Sequence, residues 1–220
     1  MKRVLYVLFL AISVMSCNAK EKEVDFKNLQ ERNGVFYEIN SEQRFNGIAK
    51  SYYENGQLDV EDRYVDGVLH GITKGYYKNG KLKAEVDYKA GKIDGMKKSY
   101  YESGKLHTEA DYKDGVLDGM IKGYYENGQL SGVSSYQNGI ENGVTKGYDK
   151  NGQLNLEANY KDGVLDGVIK QYYTNGQLKS EVHYKEGSLH GTTKGYDENG
   201  KLIGEANYIY DKLDGPVKRY

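Results

Sequence analysis

Through most of the chain, apolar and polar residues alternate in short runs. Leu82, Ala84, Val86 and Tyr88 alternate with Lys81, Lys83, Glu85, Asp87 and Lys89, the period of a strand with one half-buried face. Ahead of it, Gly71-Ile72-Thr73-Lys74-Gly75-Tyr76-Tyr77 forms a second strand-like run. Asn79-Gly80 between the two is a strong short hairpin signal, since both residues accept positive φ. A further turn at Ala90-Gly91, written Asp66-Gly67, Asp114-Gly115 and Asp162-Gly163 elsewhere, returns the chain. Two strands and two turns fill the unit, so the pattern predicts a continuous antiparallel meander.

The unit recurs every 24 residues. Tyr52, Tyr76, Tyr100, Tyr124, Tyr148, Tyr172, Tyr196 and Tyr220 share one position, and Gly56, Gly80, Gly104, Gly128, Gly152, Gly176 and Gly200 another. Leu58 to Leu202, Tyr64 to Tyr208 and Gly47 to Gly215 make further rows at the same spacing, without insertion or deletion. The predicted fold is all-β: an elongated, single-layer antiparallel meander of tandem β-hairpin repeats, seven of them over 52–220. Residues 31–51, with Asn33-Gly34 and Phe45-Asn46-Gly47, read as a degenerate first unit, as a capping repeat should be. At ~4.8 Å per strand the array would be on the order of 70–80 Å long.

Two hairpin registers fit the residues. A two-residue turn at Asn79-Gly80 pairs Tyr77 with Leu82, Gly75 with Ala84, Thr73 with Val86, Gly71 with Tyr88 and Lys74 with Glu85. The Lys row from Lys50 to Lys218 then meets a Glu row broken only at Val133. A three-residue loop with a bulge at Gly80 pairs Tyr76 with Leu82 instead. The row of Tyr76 never varies, whereas Asp149 and Asp197 replace the next Tyr in two units. That makes the invariant row the packing candidate. Tyr53, Tyr77, Tyr101, Tyr125 and Tyr173 become the candidate binding surface, because Tyr is enriched where proteins meet.

Composition agrees with strands and tight turns. The 220 residues include 23 Tyr and 28 Gly, with a single Pro and no Trp. A hydrophobic fraction of 38% is low for a large sealed core. Lys and Arg (31) nearly balance Asp and Glu (32), which gives no general attraction to nucleic acid.

The N-terminus reads as a targeting segment. Lys2 and Arg3 precede an apolar run, Val4 to Val14, that is short for a bilayer span. Val14-Met15-Ser16-Cys17 then resembles the lipobox of bacterial lipoproteins. The resemblance implies a signal peptide over 1–16, diacylation of Cys17 and a membrane-anchored protein of the bacterial cell envelope. An ordinary signal peptide with an incidental Cys is the other reading, since Met15 departs from the usual lipobox. Residues 17–30 lack strand alternation and read as a polar tether. Their Lys20-Glu21-Lys22-Glu23 also resembles the charged signal for surface display on the outer membrane used by some Bacteroidota.

Tyr-x-x-Asp-Gly-x-x-x-Gly followed by Tyr-Tyr-x-Asn-Gly-x-Leu resembles the bacterial MORN-repeat variant over roughly residues 33 to 220. The resemblance implies an elongated sheet used for contacts with proteins or membranes. Many bacterial members are labelled antitoxin components of the YwqK type, and others are lipoproteins.

Residues suited to catalysis or metal binding do not converge. His70 and His190 hold the same repeat position five units apart, on the order of 48 Å in a meander. His107 and His183 fall at different strand positions in distant units. Cys17 is the single Cys, and no Ser stands in a nucleophile-elbow context. Asp111, Asp114 and Asp118 match no calcium-loop spacing, and Asp-Gly is what a tight turn needs. The chain is therefore expected to be no enzyme and to need no metal or cofactor.

The expected function is a lipid-anchored envelope protein whose array presents a protein-binding or scaffold surface. Masking of a toxic partner, as an antitoxin or immunity protein does, is the alternative, and lipid recognition by the repeats a second one. The partner is expected to be a protein, with the membrane reached through Cys17 and nucleic acid not involved. In a bacterial host the chain should partition into the detergent phase and take up labelled palmitate, whereas Cys17→Ala should do neither. Equal labelling of the two would end the lipoprotein reading.

Overall fold

The computed structural model describes residues 21–220. The signal peptide expected over 1–16, the lipid attachment at Cys17 and Lys20 lie outside the described residues. The fold is nearly all-β, with 64% strand and one 20-stranded, mostly antiparallel, open sheet. The one short helical turn among the described residues is the 3-10 segment Phe26–Asn28.

Each unit contributes a rising and a falling strand, as in Gly71–Tyr76 and Leu82–Lys89 or Val116–Tyr124 and Leu130–Gln137. Successive strands pair antiparallel through to Lys218–Arg219. The Asp-Gly end is a two-residue turn. Asp66 and Gly67 take φ of 50° and 76°, and Asp114 and Gly115 take 51° and 89°, as strand twist favours. Of the two turns that fit Asn79-Gly80, the two-residue one is not formed. Gly80 N–H donates to the Tyr77 carbonyl and Tyr77 N–H to the Lys81 carbonyl, each at 2.8 Å. Only Gly80 has positive φ, +80°, so this end is a longer loop closed by a glycine bulge.

The hairpin therefore combines both expected registers. Gly71 faces Tyr88, Thr73 faces Val86, Lys74 faces Glu85 and Gly75 faces Ala84, but Tyr76 faces Leu82. Lys83 is the extra residue, and the register shifts between Gly75 and Tyr76. The pairing of Tyr77 with Leu82 is thus not formed.

The row Gly47 to Gly215 has its own cause. Gly119 sits at φ +132°, and a Cβ there would stand 2.7 Å from the Cβ of Asp111. Any side chain would meet both backbone strain and a clash with the neighbouring strand.

The N-terminal segments depart from expectation. Residues 17–30 were read as a tether, yet Glu23–Asp25 adds a parallel strand beside Gly47–Tyr52. Leu29–Arg32 and Val35–Glu38 make a separate hairpin. Of the expected first unit over 31–51, the strand Gly47–Tyr52 joins the meander by pairing with Leu58–Val65, while the hairpin before it folds across the end of the sheet. Phe36 N–H donates to the Gly67 carbonyl at 2.8 Å and Phe45 N–H to the Phe36 carbonyl at 2.9 Å.

The polarity of the segment disguised this role. Its charged side chains pair with the array, Glu21 with Arg63 at 2.9 Å and Glu23 with Lys50 at 2.8 Å. Its few apolar ones, Val24 and Leu29, pack with Phe36 and Leu69 against buried Phe45, Ala49 and Tyr64. Phe36 and Phe45 flank the Tyr64 ring with centroids at 5.0 and 5.8 Å. This cap holds the best-sealed cluster, since the other described hydrophobic side chains buried as fully are just Ala110 and Ala158.

Phe45→Ala should therefore cost about 3–5 kcal/mol. Because units contact only their neighbours, hydrogen exchange should quicken in the cap and first repeats while the last repeats stay protected. Uniform loss of protection along the chain, or none, would count against a local core.

Candidate binding surface

The sheet is one layer thick, so both faces meet solvent. The bulge at Lys83 decides which residues share a face. One face carries Tyr77, Lys83, Ala84, Thr73 and Val86. In equivalent units Tyr101 lies on His107 with ring centroids 4.4 Å apart, and Lys179 Nζ lies 5.6 Å from the Tyr173 ring. The other face carries Ile72, Lys74, Tyr76, Leu82 and Glu85.

The five candidate tyrosines fall on the first face, half-buried, and each hydroxyl has a structural partner. Tyr53, Tyr77, Tyr101, Tyr125 and Tyr173 donate to the carbonyls of Tyr76, Tyr100, Tyr124, Tyr148 and Tyr196, at 2.6, 2.6, 2.7, 2.8 and 2.8 Å. The row is thus a ladder of rungs joining successive hairpin tips. Asn side chains make a second ladder. Asn127 Oδ1 accepts from Gln129 N–H at 3.0 Å, while its Nδ2 donates to the Lys150 carbonyl at 2.6 Å.

Asp149 and Asp197 follow from the same geometry. Asp149 Oδ1 accepts from the N–H groups of Asn151 and Gln153, at 2.8 and 2.9 Å. Asp197 does the same for Asn199 and Lys201. In a tip that lacks the tyrosine rung the Asp takes over the loop N–H that the Asn caps elsewhere and adds a second, so variation in this row has a cause within the array. What remains for a partner is the exposed part of each ring.

The invariant row, on the second face, is tied to charge. Tyr100, Tyr124 and Tyr172 donate to Glu85, Glu109 and Glu157 at 2.9, 2.8 and 2.9 Å. Burial first, and then the adjoining carboxylate, pushes these three phenols up to about 12. The hydrogen bond from Tyr124, aided by Lys122 at 3.1 Å, holds the Glu109 carboxyl below its usual range. Tyr172 and Lys146 do the same for Glu157.

The arrangement of these rows matches one family. Seven MORN repeat variant matches tile residues 45–66, 69–90, 93–114, 117–138, 141–162, 165–186 and 189–210. The chain belongs to the MORN repeat variant family. No curated protein matches the chain.

The MORN frame runs from one Asp-Gly turn to the next, so its first match begins at Phe45, inside the cap. The expected units, counted from the tyrosines, are offset from it by about a strand. In the MORN array the four histidines stand apart. His107 is stacked on Tyr101, His190 lies 4.8 Å from the Tyr210 ring, and His183 Nδ1 is 2.6 Å from the Thr192 carbonyl. Among the described residues no three His, Cys, Asp or Glu side chains cluster as metal ligands. Asp111 Oδ2 accepts from Met120 N–H at 3.1 Å, and Asp114 supplies the turn's positive φ.

A different row was overlooked. On the second face Ile72, Met96, Met120 and Val144 are 49%, 38%, 44% and 45% exposed, a row of apolar side chains beside the Lys–Glu ladder with Asp87, Asp111 and Ser135 between them. The signal was available, since any register placing Lys74 and Tyr76 on one face places Ile72 there too.

Tyr101→Phe removes one rung and should cost about 1 kcal/mol, read as a lowered urea midpoint. Tyr101→Asp should cost a similar amount, because Asp at this position can cap its own loop as Asp149 does. An unchanged midpoint for the Phe variant would remove the ladder from the account of stability.

Proposed function

We propose that the protein is a non-catalytic binding module, a scaffold whose repeat array docks a protein partner along its stripe face. One observation carries this reading: Ile72, Met96, Met120 and Val144, on alternate strands with Asp87, Asp111 and Ser135 between them, are 38–49% exposed along one face of the sheet. A recurring set of large exposed apolar side chains on one face marks an interaction surface. MORN repeats are commonly protein- or membrane-binding modules, and near-neutral charge favours a protein over an anionic bilayer.

The lipobox-like segment ending at Cys17 adds the location. The protein would sit in a bacterial envelope, anchored by lipid, with surface display on the outer membrane one destination. Masking of a toxic partner would use the same face and is a special case of this reading.

A photo-reactive amino acid in place of Met120 should crosslink a discrete partner in the native cell, and one at Thr193 on the opposite face should not. Met96→Asp together with Met120→Asp should abolish that crosslink, formed from Val144, without moving the melting temperature. Crosslinking of equal strength from both faces, or indifference to the paired Asp variant, would overturn the choice of surface.

A further inference from the structure

The charged ladder on the stripe face has one interruption, and the residues around it remain those that elsewhere hold a carboxylate. Cross-strand partners run Lys98, Glu109, Lys122, Val133, Lys146, Glu157, Lys170. At three other positions a Lys and a Tyr together hold the carboxylate. Glu109 is bonded to Lys122 at 3.1 Å and Tyr124 at 2.8 Å, and Glu157 to Lys146 at 3.2 Å and Tyr172 at 2.9 Å. Glu205 is bonded to Lys218 at 2.8 Å and Tyr220 at 3.1 Å. Each of these three carboxylates, and Glu85, receives the hydroxyl of the Tyr fifteen residues later.

Fifteen residues before Tyr148 stands Val133, so that hydroxyl has no such acceptor. Lys122 and Lys146 pair directly with Val133 from its two sides, and their side chains are 38% and 40% exposed. The strand Leu130–Gln137 has no charged residue, with Ser135 where Asp87 and Asp111 stand in other units. Two lysines and a phenol therefore surround an apolar position where the array's own geometry calls for an anion. Each lysine keeps one carboxylate, Glu109 or Glu157, on its far side.

We infer that this central position receives an acidic side chain from a partner protein, which completes the ladder between Lys122 and Lys146 and accepts from the Tyr148 hydroxyl. The partner segment is also constrained beside the carboxylate. Met120 and Val144 lie two residues from Lys122 and Lys146 on the same strands, 44% and 45% exposed. That offset is about 7 Å, the separation of alternate residues in an extended chain. The segment recognised is an extended acidic one, with an aliphatic side chain two residues from the carboxylate. The inference rests on the proposed docking role of this face and gives that role a residue-level address.

The test uses the full chain and two blocked tripeptides, Glu-Ser-Leu and Gln-Ser-Leu, followed by NMR shifts. The Glu peptide should bind about tenfold more tightly, since the charge-assisted bonds need the carboxylate. Its shifts should centre on Lys122, Val133, Lys146 and Tyr148. Val133→Glu supplies the carboxylate from within the chain and should abolish binding while raising the melting temperature. Glu109→Val should create a second site, with new shifts at Lys98, Lys122 and Tyr124.

Equal binding of the two peptides, no binding, or shifts spread evenly along the Lys row would each overturn the inference. Crosslinking from Met120 that survives such a result would leave the broader docking role standing. Loss of that crosslink as well would remove both.

Discussion

A sheet one layer thick has no second layer to bury against, so its cohesion comes from ladders between like positions in neighbouring strands and units. In this protein the ladders are polar as much as apolar. Tyrosine hydroxyls reach the backbone of the next unit, Asn side chains join one loop to the next, and Lys–Glu pairs cross the sheet. Every rung needs its partner at a constant offset. One inserted residue would move a Tyr hydroxyl from its carbonyl and turn the following side chains to the other face. The unbroken 24-residue period is the consequence.

The ends of such a sheet cannot be closed by the same rungs. At the N-terminal end a parallel strand and a hairpin cover Phe45, Ala49 and Tyr64, and ion pairs to Arg63 and Lys50 secure them. The cap resembles ordinary globular packing, with aromatic rings tilted against one another. The array beyond it is stabilised differently, by many weak and nearly equal contacts between neighbours. A perturbation there should stay local. That independence lets one unit, the one containing Val133, depart from the pattern without disturbing the rest.

The two tyrosine rows show how variation misleads when it is read without geometry. The replacement of Tyr by Asp149 and Asp197 marked a row as free of structural duty. Those positions instead exchange a rung that serves a backbone acceptor of the next unit for a cap that serves backbone donors of its own loop. The row of Ile72, Met96, Met120 and Val144 was legible in the same alternation, although apolar residues in a strand ordinarily suggest burial. In a single-layer sheet that inference fails, since neither face is covered along its length.

The repeat, its period, the all-β class, the hairpin boundaries and the alternation of Lys with Glu followed from the sequence alone, because each is a local or strictly periodic property. Two features needed the tertiary structure. The bulge at Lys83 depends on how the loop closes around Gly80, which the residues Asn79-Gly80 alone do not decide. The fate of residues 23–38 depends on contacts with Phe45, Tyr64 and Arg63, which lie beyond the reach of local patterning. A polar segment and a tether look alike until the surface that pairs its charges is known.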